Sequence, residues 1–212
     1  MATNNMKDTV ELNASSRSAW RNPFGIALVV YYLVMAIVGM LVPDDILKSH
    51  AWAREFSDFM AGIVQQIDRV TALNIKPDVN RFYFSVLWAG SPVLVLLIVI
   101  GTFKQGLNTE TIRPNDSVRK LLGIGLALTA MSLAILSMPF AESSPKLTNG
   151  LIGLFLGRGL LGQILFVNGP IILLVIAWIN MPYFLLTGKY QKALEDKRNE
   201  FAKNSKYQAK ED

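Results

Sequence analysis

The chemistry open to this chain is narrow. It holds one histidine, His50, and no cysteine among 212 residues. An intrachain bis-histidine haem, a thiolate metal centre and a cysteine nucleophile are therefore excluded. Asp44 and Asp45 are adjacent carboxylates, but neighbours on a helix point about 100° apart. They read as a helix N-cap and a favourable charge for its dipole rather than as an acid–base or metal-binding pair. Ser91, Ser132 and Ser137 lie in apolar runs that offer neither histidine nor lysine as a base. No phosphate-cradling glycine loop, dinucleotide fingerprint or calcium loop occurs. The residues thus predict no catalytic centre, no metal and no cofactor, and the chain reads as a non-enzyme. His50 reads as a solvated or interfacial side chain. One cation stands apart: Arg158, within the glycine-rich run 147–165, where Gly153 and Gly157 form a GxxxG pair. It is suited to contact an anionic lipid headgroup, a solute or a partner, to pair with Glu142, or to snorkel to the interface.

Those few polar groups are carried by elements made for lipid. Residues 22–43, 82–103, 121–141 and 159–188 contain no charged side chain. A hydrocarbon core about 30 Å thick takes roughly 20 residues of helix, and a spanning segment must satisfy its own backbone. The sequence predicts an all-α integral membrane protein with four transmembrane helices at 24–42, 82–103, 121–138 and 170–186. They sit in a membrane domain, 24–188, between a partly disordered segment, 1–23, and a basic tail helix, 189–212. Composition agrees, with 51% hydrophobic and 17% charged residues, against about 25% charge in soluble domains. Pro92 predicts a kink in the second span. Asn168, Gly169 and Pro170 read as the entry to the fourth.

Charge placement sets the expected orientation. Fourteen of the 21 lysines and arginines fall in 1–23, 104–120 and 189–212, and seven in 44–81 and 142–158. The positive-inside rule then puts both termini in the cytoplasm, in an inner or plasma membrane. The first apolar run is too long for a signal-peptide core and reads as a retained span. The pI near 9.5 follows this topology and does not point to nucleic acid.

Three further features are surfaces. Trp52, Phe56, Phe59, Met60, Ile63 and Ile67 recur at helical spacing, predicting one amphipathic helix over 45–73 outside the membrane. Its apolar face fits the headgroup layer, another subunit or its own bundle. Gly123, Ala127, Ala130 and Ala134 line one face of the third span and suit close helix packing. Residues 147–165 read as a re-entrant or interfacial segment, because a fifth span would carry the lysine-rich tail outside. The tail itself suits an anionic leaflet or a soluble partner, through a stripe that includes Leu194 and Phe201. Surfaces without a reaction centre predict a non-catalytic structural or accessory subunit of a larger membrane assembly. That assembly is a homo-oligomer or a hetero-complex such as a secretion, conjugation or respiratory machine. The alternatives are a small channel or carrier for an uncoupled or anionic solute, and a membrane-bound immunity or lipid-handling factor.

Overall fold

The computed structural model describes residues 23–72, 76–106, 112–138 and 160–208. All regular structure among them is helical, and four helices are long and apolar enough to cross a membrane. The first is α1, Pro23–Leu41. Three short helices follow it, α2 (Ile46–Ser49), α3 (Ala51–Ile63) and α4 (Gln66–Ala72). The second span is α5, Pro77–Gln105, and the third is α6, Val118–Ser137. The fourth is composite: α7 (Leu160–Val175), a π-turn (Ile176–Asn180) and α8 (Met181–Leu186). The tail forms α9, Lys189–Gln208.

The fourth span is the centre of the bundle. It packs on α1, α5 and α6. A third of its most apolar stretch is buried (33%), against 6% for α1. Helices α2 to α4 pack on α5 at one end, the cap end, and α9 packs on α8 at the other, the tail end.

Prolines shape two of the spans. Pro92 has no N–H to give to the carbonyl of Trp88, four residues back. The Ser91 hydroxyl donates to that carbonyl instead, at 2.8 Å, and α5 continues through the proline as one helix. Pro182 deprives the Trp178 carbonyl in the same way. Here the ladder widens into the π-turn, in which the Met181 N–H donates to the Ile176 carbonyl. Gly106 and Gly188 end α5 and α8 with φ of 77° and 69°, a conformation glycine adopts without a Cβ penalty.

The structure corrects several expectations. The helix predicted over 45–73 is three helices, broken where His50 and Val64 adopt extended or near-extended backbone. Asp45 occupies an N-cap position without a side-chain cap bond, and Asp44 instead binds Lys76 at 2.7 and 2.8 Å. Pro77 stands in the first turn of α5. Asn168, Gly169 and Pro170 lie inside the fourth span, which begins near Gly162. Residues 160–165 of the glycine-rich run are therefore part of α7, and 147–159 lie outside the described residues.

Candidate functional site

Arg158, Gly153 and Gly157 fall outside the described residues, so the structure is informative about the two other groups. On α3, the predicted face divides. Met60 is buried, and Phe56 is half-buried against Phe82, with ring centroids 6.0 Å apart. Ile67 is fully buried, but on α4, in the cluster that also holds Met60, Val70, Tyr83, Phe84 and Leu87. Trp52, Phe59 and Ile63 stay exposed. His50 is exposed at the start of α3, beside the Trp52 ring.

On α6 the two faces carry different small residues. Gly123, Ala127, Ala130 and Ala134 are all exposed, and a Cβ at Gly123 would meet nothing within 4 Å. The inward face is Gly125, Thr129 and Ser132. A Cβ at Gly125 would lie 3.2 Å from Met181 Sδ, so this glycine lets α6 approach α8. Thr129 Oγ1 accepts a hydrogen bond from Trp178 Nε1 at 3.1 Å. The sequence lists both sets of small residues. Hydroxyls at the spacing of Thr129 and Ser132 are the signal that marks the inward one.

Polar groups inside the bundle tie helices together. Gln163 Nε2 donates to Asn80 Oδ1 at 2.6 Å, joining α7 to α5 across a fully buried contact. Tyr83 Oη donates to the Met35 carbonyl of α1 at 3.0 Å, and Gln66 Nε2 to the Leu136 carbonyl of α6 at 2.7 Å. In lipid such bonds hold helices where apolar burial gives no preference between neighbour and solvent. Gly90 permits the α1–α5 approach, since a side chain there would run into Met35 Cε. Other buried polar atoms make no hydrogen bond within 3.5 Å, among them the Tyr31 hydroxyl, Trp88 Nε1, Asn180 Oδ1 and both amide atoms of Asn168, which faces Tyr31. Asn80 and Gln163 carry no sequence signal for their contact, and Gly125 carries none that separates it from the other small residues of α6. The first two are 83 residues apart and share no motif.

Charges gather at the two ends. At the cap end Arg81 bridges Asp58 of α3 at 2.7 Å and Asp68 of α4 at 3.1 Å. At the tail end Lys120 Nζ donates to Asp116 Oδ1 at 2.6 Å and the Arg113 N–H to Asp116 Oδ2 at 2.8 Å. The Lys120 bond, followed by that from Arg113, holds the Asp116 carboxyl below the ordinary carboxylate range. Arg198 of α9 donates to the carbonyls of Pro114 and Asp116. Helix α9 docks through Tyr190, Ala193 and Leu194 on Ile112 and Phe184. Leu194 is thus on the docked face, but Phe201 is exposed, so the expected Leu194–Phe201 stripe is not the contact. Burial pushes the Tyr190 phenol up.

Among the described residues no three His, Cys, Asp or Glu side chains are grouped to hold a metal ion. Each interhelical hydrogen bond described above acts in packing. Apolar side chains face outward on all four spans, most of all on α1; the α3 face and the α6 face stand out among them, the first for its place outside the spans and the second for its small residues. The chain matches no family model, no curated protein and no solved structure.

Proposed function

We propose that this protein is a non-catalytic subunit of a larger membrane assembly, joined to it through the outward face of α6. The observation that carries this reading is the separation of the two small-residue faces. Gly125 serves the contact within the chain, while Gly123, Ala127, Ala130 and Ala134 remain on the exposed side. A small-residue face lets another backbone approach closely and gain dispersion contact that disordered lipid tails match poorly. The interior supports the same reading, because its hydrogen bonds join helices of this chain to one another, α5 to α1 and α7, and α4 to α6.

In this proposal the cap end faces away from the cytoplasm and both termini lie within it, in an inner or plasma membrane, as the lysine and arginine bias favours. The chain has no native cysteine, so thiol labelling at Glu55→Cys and Lys203→Cys reads the two sides directly. For the interface, a thiol crosslinker at Ala130→Cys should give one adduct of defined mass, and Gly123→Leu should abolish it. Failure to form an adduct in native membranes would remove the reading.

A second reading, a small carrier or channel for an uncoupled solute, draws on the unpartnered Asn168 amide beside Tyr31. Solute flux in vesicles that is lost in Asn168→Leu would favour it.

A further inference from the structure

Helix α3 carries three sectors rather than two. On a 3.6-residue wheel, Ala53, Ser57, Met60 and Ala61 fill one sector, and all four are buried against the chain. Trp52, Phe59 and Ile63 fill the next, with exposures of 59, 66 and 63%. Arg54, Glu55, Asp58 and Gly62 fill the third, which is also exposed. A helix between protein and water needs two sectors. A third that is apolar yet uncovered suits a helix at a junction of protein, water and lipid.

The contacts of α5 fix its depth and tilt about its own axis. Arg81, the last charged residue before the uncharged run, binds Asp58 in the polar sector. The next residue, Phe82, meets Trp52 with ring centroids 5.6 Å apart, and Phe56 at 6.0 Å. Phe56 also packs in the cluster that contains Val86, one turn deeper in α5, and Val42, just past the end of α1. The polar sector of α3 therefore turns toward the ion-pair level, and its aromatic sector toward the uncharged part of the spans. From Phe82 to Phe103 the uncharged run is 22 residues, about 33 Å of helix. That matches a hydrocarbon core about 30 Å thick, so α3 lies at its edge.

We propose that the Trp52, Phe59 and Ile63 sector of α3 is seated in the lipid leaflet at the cap end, between acyl chains and headgroups. Trp is enriched at that level because its ring is apolar and its N–H is not. The Arg81, Asp58 and Asp68 cluster then marks the headgroup plane above it. The occupant is lipid rather than protein: the exposed side chains are large and rotatable, and they lie at the depth where the leaflet begins.

The test uses the full chain in phosphatidylcholine vesicles, with single nitroxide-labelled cysteines at Phe59, Ile63 and Glu55. Collision with oxygen relative to a water-soluble nickel chelate should be several-fold higher at 59 and 63 than at 55. Ratios at 59 and 63 equal to that at 55 would place the sector in water and overturn the proposal. Exclusion of both reagents would show a protein cover and also overturn it, dipolar broadening identifying a second copy. A variant that retains only Trp52, with Trp20, Trp88 and Trp178 changed to Phe, gives an independent reading. Its fluorescence should be quenched more by lipid brominated near the headgroup than by lipid brominated at the chain end. The reverse order, or no quenching, would contradict lipid seating.

Discussion

The exposed sector of α3 and the exposed stripe of α6 are both apolar and both uncovered by this chain, yet they are built from opposite side chains. Trp52, Phe59 and Ile63 are large, whereas Gly123, Ala127 and Ala130 form a narrow strip of small residues between exposed Leu126 and Leu133 on one side and Ile124 and Met131 on the other. In water the two would serve alike as sticky patches. In lipid, apolarity carries no information about what covers a face, because the solvent is itself apolar, and side-chain volume takes over. Bulky, flexible groups mix with fluid acyl chains; a shallow furrow favours a second helix. On the proposals made above, the difference is between a surface met by lipid and one met by protein.

That contrast breaks most sharply under volume exchange. Filling the furrow with Gly123→Leu and Ala127→Leu should release the chain from its assembly while its helix content stays unchanged, read by native-gel mobility beside circular dichroism. Trimming the other surface with Phe59→Ala and Ile63→Ala should leave the mobility untouched. On the inward face of the same helix, Gly125→Leu should instead cost the fold about 1–3 kcal/mol through collision with Met181, seen as a lower unfolding midpoint in mild detergent. A loss of similar size, about 1–3 kcal/mol, is expected for Asn80→Leu, which strands the buried Gln163 amide. Adding Gln163→Leu should recover most of it, since removing both partners leaves nothing unpaired.

The smallest effect concerns the tail end. Asp116 has a folded pKa below its unfolded one, so its contribution is present above the unfolded value and is lost as pH falls through the lowered folded value. Thermal stability should decline below about pH 4, and Asp116→Asn should flatten that limb of the profile.

The four spans were legible because long uncharged runs leave a helix little alternative in lipid. Finer features were hidden for identifiable reasons. The 3.6-residue period that begins at Trp52 runs on past Val64 to Ile67, so nothing in the pattern announces the break at Val64. Small residues occupy both faces of α6, and composition alone does not say which face meets α8. Asn168 and Pro170 resemble a helix entry by type but sit within the fourth span, where packing by α1 and α5 supports them. The Asn80–Gln163 bond joins residues far apart in sequence, a pairing that only the tertiary arrangement creates. Sequence order exposes periodicity and charge, and interhelical partners lie beyond both.

The central claim is that α6 presents a protein-binding face in the membrane. It is tested most directly by the mass of the wild-type particle extracted from its own membrane in mild detergent, with detergent and lipid subtracted by light scattering. The expected result is a single species whose protein mass exceeds that of one 23.5 kDa chain. A monodisperse species of one chain alone would contradict it.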